Sequence, residues 1–280
     1  MKRMILTSSS GVGLTYADRA DMVVPLIFRF VSGPLPTSHH LDEFLDGRLN
    51  PGIPEVIWAD LVSRSPQTGL AHKNVALVRF CEIYGVELIE LWFDPSPNNQ
   101  LQLIWILDYL RAEPYMAERL KLRLVDFDLL GADVAGLRER TVRALDVTER
   151  DFEVARMAWE AYRAPTPELC FGLLSRDFPG LPFLKPAPEQ LLAELPSPTT
   201  GLGATEARLL ELIAKGHNRT KELFQPGGLL ETRVFDQWEL GPCLKGSRPV
   251  RCRRSAASIP SSLRTMRAAA TPLFAGAGCC

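Results

Sequence analysis

Two polar loops hold the residue types and spacing that could do chemistry. The first, Ser8-Ser9-Ser10-Gly11-Val12-Gly13, follows a short apolar run and leads into a helical one. Its hydroxyls, with the free backbone N–H groups of a helix start, could hold a phosphate or a carboxylate. It is not a Walker loop, because no Gly-Lys-Ser/Thr follows, and it is short of the full GxGxxG fingerprint. The second loop carries Asp94, Ser96, Asn98, Asn99 and Gln100. Asp94 would be its base, metal ligand or ribose-hydroxyl acceptor. Each loop also has a plainer reading. The first serves as a simple strand-to-helix turn. In the second, Asp94 and Asn98 cap the following helix and Gln100 bonds backbone. Ligands of open parallel sheets sit beyond the carboxyl ends of the strands. The two loops therefore form one polar cleft only if the strand order sets them side by side.

Other reactive residue types are poorer candidates. His39-His40 follows a proline turn, and adjacent histidines point apart on most backbones, so a surface loop is expected rather than a metal site. His72, at a helix start, and His217, in a helix-to-helix turn, are expected to be exposed. Trp92, Trp105 and Trp159 lie on apolar faces and read as core. Cys81 and Cys170 sit in helical patterns as small buried apolar residues. The remaining cysteines, Cys243, Cys252, Cys279 and Cys280, match no zinc spacing. No Ser/His/Asp order or Cys/His pair makes a nucleophilic triad.

The elements that must position these residues alternate in the first half. Strands are predicted over 3–7, a short apolar run, over 23–30, rich in β-branched and aromatic residues, over 86–93, and over 120–127, which alternates cleanly. A short helix is predicted from the first loop to Arg19, with helical stretches over 41–45, 54–62, 72–84 and 98–110. Gly85 ends the stretch before the third strand. Strands separated by helices point to a mainly parallel sheet covered on both faces. The second half is helical. Thr148 with Asp151 three residues on resembles a capping box, and Phe152, Ala155, Trp159 and Tyr162 follow at helical spacing. Further helices are predicted from Pro165 through Leu174, to near Leu195, and over 205–214, 220–224 and 232–240. The last three look like the core of a winged-helix or helix-turn-helix unit.

Composition bounds the class. The 280 residues are 46% hydrophobic and 23% charged, ordinary values for a chain with a real core. The net charge of −1 argues against an overall nucleic-acid binder. The longest apolar runs are strand-length, so no membrane span is expected. The N-terminus has a basic start but no apolar signal region, which makes cytoplasmic the default. After Glu239 there are seven basic residues and no acidic one, which leaves residues 1–239 at −8. That tail reads as a basic arm for nucleic acid or an acidic partner, as disorder, or as translation out of frame. The out-of-frame reading is preferred.

The residues also resemble a family. Ile89-Glu90-Leu91-Trp92-Phe93-Asp94, followed by Asn99-Gln100-Leu101-Gln102-Leu103, is similar to the Trp-Phe-acidic and Asp/Asn-Gln-Leu motif of domain-of-unknown-function family 1835. Leu181-Pro182-Phe183-Leu184, then Leu191-Leu192-Ala193-Glu194-Leu195-Pro196 and Gly201-Leu202-Gly203-Ala204-Thr205-Glu206, resembles the C-terminal partner region, family 3658. The resemblance covers about residues 4–245. It implies a bacterial protein and brings no assigned reaction. Ser96 stands where a second acidic residue is expected, which weakens a paired-carboxylate idea. The family also continues in order past Leu240, where this chain turns into the basic tail.

The expected fold is thus α/β. A small, mainly parallel sheet flanked by helices occupies 1–140, and a helical connector 146–200. A winged-helix-like three-helix unit occupies 201–245, and the basic tail 246–280. The expected function is binding of a small anionic ligand or nucleotide at Ser8, Ser9, Ser10, Gly11, Asp94, Asn98, Asn99 and Gln100, with Asp94 the candidate catalytic residue. No metal site is expected, and no cofactor or oligomeric state is specified. The alternative is a regulatory or interaction protein whose C-terminal unit contacts DNA or a protein. DNA is disfavoured, because residues 201–245 hold six basic and six acidic residues and DNA affinity rests on phosphate neutralisation.

Overall fold

A computed structural model describes residues 1–33, 35–49, 75–112, 114–217, 219–224, 229, 234–236 and 239–240. The basic tail, the predicted 54–62 helix and His72 lie outside the described residues, as does most of the predicted 232–240 helix.

Five strands form one sheet: β1 (Arg3–Ser8), β2 (Met22–Leu26), β3 (Leu88–Phe93), β4 (Leu120–Leu124) and β5 (Leu145–Asp146). Their order is β2-β1-β3-β4-β5. The first four run parallel, and β5 pairs antiparallel with β4. Pro25 is tolerated in β2 because an edge strand can spare an N–H. β2 stops at Leu26, short of the predicted Phe30. Beyond Leu26 the backbone is claimed by side chains instead: Asn98 Oδ1 accepts from the Phe30 N–H at 2.8 Å, and Gln102 Nε2 donates to the Phe28 carbonyl at 2.5 Å.

The chain between strands is helical. A 3₁₀ segment (Ser9–Tyr16) follows β1 where a helix to Arg19 was expected. Then come α1 (Ser38–Leu49), α2 (Val75–Tyr84), α3 (Pro97–Leu110), α4 (Pro114–Ala117) and α5 (Val134–Glu139). His39 and His40 sit in α1, not in the expected surface loop, and Thr37 N–H donates to His40 Nδ1 at 3.0 Å. The helical half adds α6 (Glu149–Arg163), α7 (Glu168–Leu174), α8 (Pro186–Ala193), α9 (Ala204–Ala214) and α10 (Thr220–Leu223). α6 starts with the expected capping box: Asp151 Oδ2 accepts from Thr148 N–H at 2.9 Å, and Thr148 Oγ1 accepts from Asp151 N–H at 3.4 Å.

Strand side chains alternate between two unequal faces. One carries Met4, Leu6, Val24, Leu26, Ile89, Leu91, Phe93, Leu120 and Leu122, covered by α1, α2 and α3. The other carries Ile5, Trp92 and Val125 in a smaller cluster with Leu14, Leu129 and Leu137. α3 is buried along nearly all its length, including its polar Asn98, Asn99, Gln100 and Gln102. It is enclosed because the helical half packs on its outer side. Trp105 of α3 meets Phe28 and Phe30 edge-on or tilted, at 5.3 and 5.2 Å, and Trp159 of α6 meets Phe30 at 5.6 Å. The connector therefore shares one core with the sheet. The three tryptophans and both described cysteines are buried, as their apolar settings imply. No described helix is long and apolar enough to cross a membrane.

Candidate functional site

The strand order decides whether the two polar loops meet. From β1 the chain steps to one side to make β2, then returns to make β3 on the other side. β1 and β3 are thus parallel neighbours, with Thr7 opposite Trp92, and their carboxyl ends part at the point where the order reverses. Such a switch point is where open α/β sheets bind ligands.

The β1 loop is held tightly. Thr7 is buried and its hydroxyl donates to the Trp92 carbonyl at 2.7 Å, tying the two strand ends. A Cβ on Gly11 would lie 2.0 Å from Thr7 Oγ1, so only glycine lets the chain fold back over Thr7. Ser8 is fully buried and its hydroxyl has no partner. As the next even position after Met4 and Leu6, it faces the side of the sheet covered by α3. Ser9 is exposed and Ser10 half-buried.

The β3 loop is held by its own polar side chains. Asp94 is fully buried. Its Oδ1 accepts from Ser96 N–H at 2.9 Å and its Oδ2 from Leu129 N–H at 3.3 Å. Its carbonyl accepts from Gln100 Nε2 at 2.8 Å. Asp94 therefore joins the start of α3 to the loop after β4. Asn98 is spent on the β2 extension, accepting from Phe30 N–H and donating to the Phe28 carbonyl at 3.3 Å. Gln100 bonds backbone through its nitrogen, but its Oε1 is buried without a partner, as is Asn99 Nδ2. The first turn of α3 thus presents unspent polar atoms at the same end of the sheet as Ser8.

Cations stand along this carboxyl edge. A groove of about 400 Å³ opens beyond β4, lined by Asp126, Phe127, Arg140, Arg143 and Phe183 among others. The Arg140 guanidinium lies 4.1 Å over the Phe127 ring. Among the described residues no cluster of three or more His, Cys, Asp or Glu could hold a metal ion. No protein-family model matches the chain, and no curated protein or solved structure matches it either.

Sequence reasoning missed one charged cluster, on the smaller sheet face. Glu90 is fully buried at the centre of β3. Its Oε1 accepts from Arg3 at 3.0 Å and Arg123 at 2.7 Å, and its Oε2 from the Trp92 indole at 3.0 Å. Burial pushes the Glu90 carboxyl up, but the Arg123 bond, the Trp92 N–H and the Arg3 charge outweigh it and hold it below the ordinary carboxylate range. Arg19 lies 5.0 Å over Trp92 and caps the end of α5 through the Leu137 and Arg138 carbonyls, at 2.5 and 3.0 Å. A signal existed: charges at same-face positions of three apolar strands. These arginines tie three strands together through Glu90 and a carbonyl, although Arg3 Nε and Arg123 Nε are buried without a partner.

The C-terminal motif also meets in space. Glu194, at the end of α8, accepts from Thr205 N–H at 3.1 Å and Thr205 Oγ1 at 2.6 Å, and so closes the start of α9.

Proposed function

We propose that the α/β half binds a small anionic ligand, a nucleotide or phosphorylated metabolite, in the cleft between the β1 and β3 loops. The observation that carries this reading is the strand order, which parts two polar loops at the switch point between neighbouring parallel strands. Three further features support it. Backbone N–H groups start the segment after Ser8, where an anion is favoured. The Ser8 hydroxyl is buried and unpartnered. Arg140 and Arg143 line the same edge. The buried Asp94, Asn98 and Gln100 act as the frame, while Ser8, Ser9, Ser10 and Asn99 meet the ligand. Thermal-shift screening of the full chain against nucleotides and sugar phosphates tests this. Stabilisation by at least one, reduced in Ser8→Ala, is expected. No stabilisation by any, or equal stabilisation of the variant, refutes it.

For the C-terminal unit we propose a packing or protein-contact role in place of DNA reading. Asp236 and Glu239, on the segment that would enter a groove, are turned onto Arg29 of the body. A gel shift on genomic fragments at moderate salt tests this, and a retarded band would contradict it. Membership of the 1835 family stays a proposal resting on the motifs at 89–101 and 181–206.

A further inference from the structure

The stretch just after β2 touches two places at once. Its backbone is gripped from inside. Asn98 and Gln102 of α3 take the Phe28 carbonyl, Asn98 also takes the Phe30 N–H, and the Tyr162 hydroxyl of α6 donates to the Phe30 carbonyl at 2.6 Å. Phe28 and Phe30 point the same way, into the rings around Trp105. Arg29 lies between them, and in extended backbone its side chain projects to the other side. There it meets the C-terminal segment. Arg29 donates to both oxygens of Glu239, at 3.2 and 2.5 Å, and to the Val234 carbonyl at 3.5 Å. It also stands 3.7 Å from Asp236. Ser32 bonds the same Glu239 carboxylate. That carboxylate is itself held by backbone, since Asp236 N–H donates to it at 2.9 Å, and Glu239 N–H in turn donates to Asp236 Oδ1 at 2.9 Å. Val234, Phe235 and Leu240 are buried in the main core beside it.

We infer that residues 28–32 act as a strap coupling the docked C-terminal segment to the ligand cleft, so that docking and ligand binding favour each other. The physical link is short. Asn98, which holds the strap, is in the first turn of α3, next to Asn99 and Gln100, whose unpaired polar atoms stand at the cleft. Release of Glu239 leaves Arg29 only its weaker contacts with the Val234 carbonyl and Asp236 and loosens the strap. Gln102 and Tyr162 still hold the Phe28 and Phe30 carbonyls, so the loosening falls on the Phe30 N–H bond to Asn98 Oδ1. A buried amide oxygen without its partner does not stay in place, so the first turn shifts and the cleft is no longer preformed. By linkage, a ligand that fixes the first turn tightens C-terminal docking by the same factor.

This coupling rests on the cleft proposed above, and its test separates the two. Hydrogen exchange is measured on the full chain for wild type, Arg29→Met, Glu239→Gln and the charge-swapped pair Arg29→Glu with Glu239→Arg. Arg29→Met keeps the apolar stem, and Glu239→Gln keeps the shape. Peptides over 96–102 are expected to exchange about fivefold faster or more in both single variants, the low end of ordinary coupling between sites. Peptides over β4 are expected to stay as in wild type, and the swapped pair is expected to recover part of the protection at 96–102. Unchanged exchange at 96–102 in both single variants overturns the strap, and so does an equal rise in every peptide. The same proteins are then titrated with adenosine monophosphate and with inorganic phosphate. A weaker thermal shift in Arg29→Met than in wild type supports the coupling, and an equal shift overturns it. If neither these probes nor any of the screened nucleotides and sugar phosphates stabilises wild type, the cleft reading falls, and the exchange data still decide whether the C-terminal segment controls the first turn of α3.

Discussion

Replacing Glu90 with glutamine removes a charge from the middle of the sheet and keeps its shape. The side chain is fully buried, while its Arg3 and Arg123 partners are 36% and 20% exposed. Hydrogen bonds to a charged acceptor contribute roughly 1.5–3 kcal/mol each, and neutral ones about 0.5–1.5. The two arginine bonds stay charge-assisted through their donors but lose the ion-pair attraction, and the amide nitrogen set at the Oε2 position cannot accept from the Trp92 indole, so that bond is lost. Arg3 is more than a third exposed and finds water, so its share is discounted. The expected loss is about 1–2 kcal/mol at pH 7. Glu90→Ala should cost more, about 2–4 kcal/mol, because it also opens a cavity and leaves buried donors unpaired. Urea unfolding followed by circular dichroism measures both. The pH dependence sharpens the test. The folded carboxyl titrates below its unfolded value of about 4.3. Its stabilisation is therefore present above that value and lost as pH falls through the folded value. The gap between wild type and Glu90→Gln should narrow between pH 5 and pH 3. A variant as stable as wild type at pH 7, or a gap constant with pH, refutes the reasoning.

Three other outcomes are expected. Gly11→Ala drives a Cβ against Thr7 Oγ1 and should destabilise by about 1–3 kcal/mol. Adding Thr7→Ala should return part of that loss in the same melt, and an unchanged melting temperature for Gly11→Ala would contradict the close approach. Burial raises the Glu194 carboxyl above its ordinary value, against the lowering pull of the Thr205 bonds. Folding then favours the protonated form, so wild type should gain stability over Glu194→Gln as pH falls from 7 towards 4, and a difference flat with pH would sink this. Cys81 is pushed up to about 12 by burial, so iodoacetamide at pH 8 should label it in urea but not in the folded chain, as read by peptide mass spectrometry.

Much of the frame was legible from local pattern. β1 and β3 are short, mostly apolar runs, β4 alternates apolar and basic residues, and α6 announces itself through Thr148 and Asp151. What was not legible depends on distant partners. The apolar run through Phe30 reads as strand, yet β2 ends at Leu26 because side chains of α3 and α6 take the Phe28 and Phe30 backbone. β5 is two residues long and has no period to read. The polar character of the loop at Asp94 was plain, but its commitment to Leu129, 35 residues on, was not. Strand order was open too, and it alone brings the Ser8 and Asp94 loops together. Arg3, Glu90 and Arg123 look like unremarkable charges until three strands align them.

The central claim is that an anion sits between the β1 and β3 loops. Amide chemical-shift mapping of the deuterated full chain, titrated with adenosine monophosphate, tests it most directly. Saturable shifts centred on Ser9, Ser10, Gly11 and Asn99, and lost in Ser8→Ala, are predicted. Shifts confined to residues away from both loops, or none up to millimolar ligand, would contradict it.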